Sequence, residues 1–450
     1  MNCMFCRSIT LLSCAMMLFS CDRRSESGGL IILQTGCLHG NLYPVSLSHA
    51  VPRQSYQYIS AYVNSVRAEA AKTGAVVVLI DSGNSLSGSF ASELLDSANV
   101  ITFFNKVGYD AIILGNQDIQ LPMKSLSEVQ APILNPFRWE LPNYSPTVRT
   151  NSIVLKKGRL EIRLFAVFCP DQSSTWPLTP AGIPPGVEAA GLPVIDQTGQ
   201  TGHTLNVCVA LNADFFRRPE LVNTLAQTGA EILSGEAAGT RRDANIPRDP
   251  SHPNVVVSQN FCSERGEDFV ARIDLRQTLK GWRAERQQLV RMGGEVVHAD
   301  NGVVEELLPL GQRLARLNRL VVTLSQPVGH DAIRELVGRA LNRIEPGAGW
   351  ILPKEDQGAI WGAGPLYLSE VFDVIPWDDQ VVVLTGLRPD FAELSQYYWI
   401  RPPGGTNALI TLRSIAVRLS RNQGPNGANA RIKNAGTKVY EAVAALLGQF

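Results

Sequence analysis

The chain has 450 residues, with 41 basic and 41 acidic side chains and no formal net charge at pH 7. That length leaves room for two or three domains around a large core. No basic stripe and no interleaving of aromatic with basic residues is present, so nucleic acid is excluded as an expected partner.

Residues 1–20 hold one cation, Arg7, followed by an apolar run from Ile9 to Phe19. The run is too short to span a bilayer and fits the core of a signal peptide. It ends in Leu18-Phe19-Ser20-Cys21, and the polar stretch Asp22 to Gly29 follows. A small residue before a cysteine resembles a bacterial lipoprotein signal, in which Cys21 is lipidated; an ordinary secretory signal is the alternative. Residues 1–20 are therefore read as a lipoprotein-type signal peptide and 21–29 as a flexible tether. The implied location is the bacterial cell envelope, periplasm or surface, with a membrane anchor at Cys21. Beyond the leader the cysteines are Cys37, Cys169, Cys208 and Cys262, with no CxxC pair. Cys169 and Cys208 lie at or within apolar runs and are expected as buried free thiols. An exported chain leaves a disulfide open.

The first element is a strand, Leu30 to Gln34, running into the glycine-bracketed turn Thr35-Gly36-Cys37-Leu38-His39-Gly40. A turn at a strand's carboxyl end is where an α/β protein places its chemistry. Tyr56 to Lys72 has helical spacing. Ala75 to Ile80 is a second apolar strand, ending in Asp81-Ser82-Gly83-Asn84, and Glu93 to Val107 is predicted as a helix. Ala111 to Leu114 leads into Gly115-Asn116-Gln117-Asp118. Ile153 to Lys156 and Glu161 to Phe168 form a predicted hairpin around Lys157-Gly158, and residues 171–204, rich in Pro, Gly and Thr, a surface insertion. Further strands are predicted at Leu205 to Leu211, Glu231 to Leu233 before Ser234-Gly235-Glu236, Val255 to Ser258 and Phe269 to Leu275. Val303 to Leu320 reads as a linker helix broken or kinked at Pro309. Then come an amphipathic helix, Ala332 to Ile344, β-like segments at Glu370 to Ile375 and Gln380 to Thr385, a helix at Arg388 to Tyr397, a strand-rich stretch from Ala408 to Leu419 and an exposed loop from Asn422 to Asn434.

The series of strand-end turns resembles the 5'-nucleotidase family, a calcineurin-like metallophosphoesterase domain followed by a nucleotide-recognition domain. Thr35-Gly36-Cys37-Leu38-His39-Gly40 stands where that family has T-N-D-L-H-G. Asp81-Ser82-Gly83-Asn84 stands for D-x-G-D. Gly108-Tyr109-Asp110 through Gly115-Asn116-Gln117-Asp118 stands for G-Y-D-x-x-x-x-G-N-H-E/D, and Asn135 matches a later asparagine. In the second half Ala363-Gly364-Pro365-Leu366-Tyr367 and Val371 to Trp377 resemble A-G-x-I-T and V-x-x-V-x-P-F. The resemblance implies an α/β fold: a four-layer β-sandwich flanked by helices over residues 30–295, a linker helix at 296–320 and a smaller α/β domain at 321–450.

The family's reaction needs two divalent cations, bridged by a carboxylate, that activate water. Its first-turn aspartate is Cys37 here, its bridging aspartate Asn84, and the histidine after Asn116 is Gln117, which cannot serve as a general acid near neutral pH. A later histidine is replaced in Leu211-Asn212-Ala213, and G-H-x-H reads Gly235-Glu236-Ala237-Ala238. Of roughly seven ligands implied for a two-metal site, His39 and Asn116 remain. The arginine of G-G-I-R is Trp361, which cannot make a bidentate charged contact. The resemblance thus implies a non-catalytic, 5'-nucleotidase-like envelope lipoprotein that binds a small molecule or an envelope protein and needs no cofactor. Candidate contacts are Asn84, Asn116, Trp361 and Trp377, with Gln117 and Asp118 at the former catalytic turn. The alternative is a phosphoester or nucleotide hydrolase with an altered or single Zn, Mn or Mg site around His39, Asn116, Asp118 and Glu236; Cys37 beside His39 would then be a soft ligand or a nucleophile. A purely structural envelope component is the third reading.

Overall fold

The computed structural model describes residues 29–43, 54–115, 118, 123–139, 150–169, 187–189, 204–211, 219–238, 255–262, 269–278, 281–292, 298–353, 361–374, 380–385, 398–401, 408–412 and 431–448. The first half runs β1 (Leu30–Thr35), α1 (Gln54–Thr73), β2 (Val76–Asp81), α2 (Phe90–Leu94), α3 (Ala98–Val107), β3 (Ala111–Ile113), α4 (Met123–Leu126), β4 (Ile133–Leu134), β5 (Phe137–Trp139), β6 (Ser152–Lys157) and β7 (Leu160–Phe168). It continues with β8 (Val187–Ala189), β9 (Thr204–Leu211), α5 (Glu220–Ala226), β10 (Ile232–Ala238), β11 (Val256–Cys262), β12 (Phe269–Thr278) and β13 (Gly281–Arg291).

Two sheets form, in the orders β13-β12-β1-β2-β3-β4 and β11-β10-β9-β7-β6. β1 to β4 are parallel, as are β7, β9, β10 and β11. The strand period of two sorts each apolar run into two layers. Leu30, Ile32, Val78 and Ile80 meet Ile162, Leu164, Leu205 and Val207 between the sheets. Their neighbours Ile31, Leu33 and Leu79 turn the other way, onto Tyr56, Ile59 and Val63 of α1 and Phe103 and Phe104 of α3. On the far side Phe165, Cys208 and Leu233 pack on Val222 and Leu225 of α5. The result is the expected four layers, helix–sheet–sheet–helix. Cys169 and Cys208 are buried thiols outside any disulfide, as the apolar runs imply.

Several elements differ from the sequence expectation. The helix expected over Glu93 to Val107 is two helices, α2 and α3, separated at Asp96 and Ser97, both with left-handed φ (51° and 61°). Asp is among the residues that visit that conformation, and Ser97 starts α3 without a side-chain capping bond. Ser89 starts α2 through a capping box with Ser92, and its hydroxyl also donates to the Gly40 carbonyl at 2.7 Å. Ser89→Ala is expected to lower stability by about 1 kcal/mol, read as a shift of the urea midpoint. Gly235 and Glu236 lie inside β10, paired with β11, and not in a turn. Within the insertion, β8 pairs antiparallel with β5.

The second half runs α6 (Asn301–Leu317), β14 (Leu320–Leu324), α7 (His330–Ile344), β15 (Gly349–Pro353), β16 (Gly364–Tyr367), α8 (Leu368–Val374), β17 (Gln380–Thr385), β18 (Tyr398–Arg401), β19 (Ala408–Leu412), β20 (Arg431–Lys438) and α9 (Val439–Leu447). α6 runs unbroken through Pro309 and is capped by Asp300, which also accepts from Ser60 at 2.6 Å. Its Leu307 carbonyl accepts from Tyr43 at 2.8 Å. The β-like segment Glu370 to Ile375 is instead helical through Val374 in α8. Leu368, Val371 and Phe372 bury at helical spacing, and the Glu370 carboxylate reaches back to the Tyr367 N–H at 2.7 Å. The loop expected over Asn422 to Asn434 yields its last four residues to β20, which pairs with β17. The helix expected at Arg388 to Tyr397 lies outside the described residues. β18, β15, β19, β17 and β20 form one sheet. Phe90 of α2 meets Phe372, which meets Tyr440 (ring centroids 5.7 and 5.1 Å), and Lys438 pairs with Glu93, so both halves share one apolar cluster. No helix among the described residues is long and apolar enough to cross a membrane.

Candidate functional site

The carboxyl ends of β1, β2 and β3 bring three turns together. The first turn lies along the second through backbone bonds: Cys37 N–H to Gly83 O at 2.8 Å, His39 N–H to Asn84 O at 2.9 Å and Gly40 N–H to Ser85 O at 2.8 Å. The Leu38 N–H reaches the Ser85 hydroxyl at 3.2 Å. This path needs left-handed backbone at Cys37 (φ 54°), His39 (φ 50°) and Asn84 (φ 52°). Such conformations in residues other than glycine are uncommon and are held only where the surroundings over-determine them.

Two buried carboxylates tie the turns. Asp81, 0 % exposed, accepts from the Thr35 hydroxyl (2.7 Å), the Ser85 hydroxyl (2.9 Å) and the Gly83 N–H (3.0 Å). The Tyr109 hydroxyl completes the group at 3.0 Å from Thr35 Oγ1. Asp118, 1 % exposed, accepts through Oδ1 from the Leu86 N–H (3.0 Å) and Ser87 N–H (3.1 Å), and through Oδ2 from the Gly115 N–H (2.9 Å). Asp118 therefore fastens the third turn to the second. Burial pushes the Asp81 carboxyl up to about 7 and the Asp118 carboxyl up to about 6 against the opposing pull of these donors, and the negative charge of Asp118 raises Asp81 further.

The residues predicted from sequence distribute as follows. His39 is half-buried in the first turn and Asn84 half-buried in the second, with the Asn84 side chain lying against Gly115. Asn116, Gln117, Trp377, Asn212 and Cys21 lie outside the described residues, and Asp118 holds backbone as above. Asn135 is buried and caps its own strand end, its Oδ1 accepting from the Phe137 N–H at 3.0 Å. Trp361 is 2 % exposed, and its indole N–H donates to the Glu370 carbonyl at 3.1 Å. Cys37 is 7 % exposed and disulfide-bonded. A bonded sulfur is neither a thiolate ligand nor a nucleophile, which overturns both roles considered for Cys37 beside His39. Among the described residues no group of three His, Cys, Asp or Glu side chains is arranged to hold a metal ion.

Sequence reasoning missed Thr35 and Ser85 as the side-chain partners of Asp81, and Tyr109 as the partner of Thr35. It also missed a buried polar patch between the sheets, where the Ser234 hydroxyl donates to Gln34 and the Asn260 amide donates to the Gln34 carbonyl at 3.4 Å. Polar residues interrupting otherwise apolar strands at one level were the available signal.

Two stacked, helix-flanked sheets, the first with the turns after β1, β2 and β3 gathered at one end, followed by a smaller α/β domain, define a 5'-nucleotidase-like metallophosphoesterase fold. Comparison of the sequence with family models and with curated proteins finds no match. Among solved structures, the chain is similar to a 5'-nucleotidase precursor from Thermus thermophilus, with TM-score 0.61 and 15 % identity over 94 % of this chain and 96 % of that one. It is similar to a Staphylococcus aureus protein assigned as a 5'-nucleotidase, with TM-score 0.64 and 12 % identity over 94 % and 97 %. It is also similar to the sulfate thiohydrolase SoxB of Thermus thermophilus, with TM-score 0.57 and 13 % identity over 94 % of each chain.

Proposed function

We propose that the protein is a non-catalytic, 5'-nucleotidase-like component of the cell envelope that keeps the scaffold of a hydrolase to bind a ligand or a protein partner. The observation that carries this reading is the chemistry of the three turns. The fold implies a pair of divalent cations, and the described residues do not fit them. Cys37 is bonded through its sulfur. Asn84 offers a neutral amide where a bridging charge is required. The carboxylates that the turns retain, Asp81 and Asp118, have protein donors on both oxygens. Trp361 is read as a packing residue, since its ring is buried and its N–H is satisfied within the chain.

The bonded state of Cys37 supports export, because disulfides persist in oxidising compartments. Lipid anchoring through Cys21 is part of the same proposal, resting on the leader sequence.

The test is phosphate release from nucleotides and from a generic phosphoester with added manganese, zinc or magnesium, beside elemental analysis of the purified protein. Release at background, unchanged by His39→Ala, and substoichiometric metal are expected. Metal-dependent turnover abolished by His39→Ala would establish the hydrolase alternative instead. A nucleotide that raises the melting temperature without turnover identifies ligand binding; at a hundredfold excess over its dissociation constant the stabilisation is about 2.7 kcal/mol. No shift with any nucleotide favours a protein-binding or structural role.

A further inference from the structure

We propose that the sulfur bonded to Cys37 is that of Cys262, so that a disulfide staples the first turn of one sheet to the end of an edge strand of the other. The inference follows from strand direction and level. The Gln287 amide donates to the Val257 carbonyl at 3.1 Å, and Gln287 pairs with Ile273, which pairs with Ile32 of β1. Val257 of β11 therefore lies near the level of Ile32. Three residues on, the Asn260 amide meets the carbonyl of Gln34, two residues beyond Ile32. β11 thus advances alongside β1 in the same sense. Cys262 shares a strand face with Asn260 and lies about 7 Å further along, which brings its backbone level with the turn that follows Thr35. The cysteine inventory agrees. Of eight cysteines, Cys169 and Cys208 are not disulfide-bonded, and every other candidate except Cys262 precedes residue 29.

Forming the bond removes two protons and two electrons from the two thiols, taken up by a disulfide oxidant that is reduced to its dithiol. The staple ties the turn after β1 to the end of β11, and it holds whether or not the protein hydrolyses anything.

The experiment is peptide mapping of the full-length exported protein, alkylated while denatured and unreduced. A Cys37 peptide joined to a Cys262 peptide, with Cys169 and Cys208 alkylated, is expected. Cys37 joined to a leader cysteine such as Cys21, or both Cys37 and Cys262 alkylated, overturns the proposal. Cys37→Ser and Cys262→Ser should each lower the melting temperature by roughly 5–10 °C, and the double variant by no more than either. Additive losses contradict a shared bond, and the mapping decides the matter should a variant fail to fold.

Discussion

Gly115→Ala is expected to lower stability by more than about 3 kcal/mol, or to prevent folding altogether. A Cβ at that position would lie 2.2 Å from Asn84 Oδ1, 2.4 Å from its Cγ and 2.3 Å from its backbone nitrogen. The side chain can swing aside; the backbone nitrogen cannot. It belongs to a turn pinned by the His39 N–H to Asn84 O bond, by Cys37 to Gly83 and by Gly40 to Ser85. Relief therefore means displacing the second turn and the first turn laid along it. The same methyl would crowd the Gly115 N–H bond to Asp118. Urea unfolding followed by far-ultraviolet dichroism measures the loss. Adding Asn84→Gly should restore only part of it, because the clash with the nitrogen remains. Gly362→Ala is the control: nothing lies within 4 Å of the added carbon, and its effect should stay within about 0.5 kcal/mol. A Gly115→Ala protein as stable as the parent would mean that the second and third turns are not packed as described.

Stability should fall as pH rises between about 4 and 7, the reverse of the usual behaviour of paired carboxylates. Asp81, raised to about 7, and Asp118, raised to about 6, hold protons in the folded state that the unfolded chain releases near its ordinary carboxylate range. Across that window the folded state binds more protons, so each step to higher pH favours unfolding. At about 1.4 kcal/mol for each pH unit separating the folded and unfolded values, ionising Asp81 costs on the order of 4 kcal/mol. The contribution is fully present below the unfolded value and gone above the folded one. Melting temperatures measured from pH 4 to 8 should therefore decline, the Asp118 share ending near pH 6 and the Asp81 share near pH 7. Asp81→Asn should flatten the upper part of the profile, and Asp118→Asn the lower. Glu69 works in the opposite sense, since its bonds to Arg272 hold it below its ordinary value. It is exposed, so its contribution is small. A melting temperature that climbs steadily from pH 4 to 8 would rule out the protonated pair.

These two predictions concern contacts between turns, and the turns are where sequence and structure divide the information. The buried strands β1, β2, β7 and β9 are legible because a run of apolar residues with alternate members facing different layers is a local pattern. The fully buried Leu30–Thr35 needs only its own residues to be recognised. The hairpin of β6 and β7 and the amphipathic α7 are legible for the same reason. The turn residues Cys37, Asn84 and Gln117 are legible too, because the spacing of the turns is read directly from the chain.

The elements that sequence misplaced are those whose local signals conflict. Val371, Phe372 and Val374 have the composition of a strand, yet α8 forms because Leu368, Val371 and Phe372 face one core and Glu370 closes the first turn. α2 and α3 part at Asp96 and Ser97, where the backbone turns left-handed inside an otherwise helical run.

The order of strands and helices, the glycine-bracketed turns and the residue types that fill them are all written in the chain itself. What the remaining groups do is a property of the assembled fold. Asp81 bonds Thr35, 46 positions earlier, and Asp118 bonds Leu86, 32 positions earlier. The partners of both carboxylates, and the bonded state of Cys37, depend on which strands become neighbours. That order is set by burial of whole sheets, so no short stretch of the chain carries it.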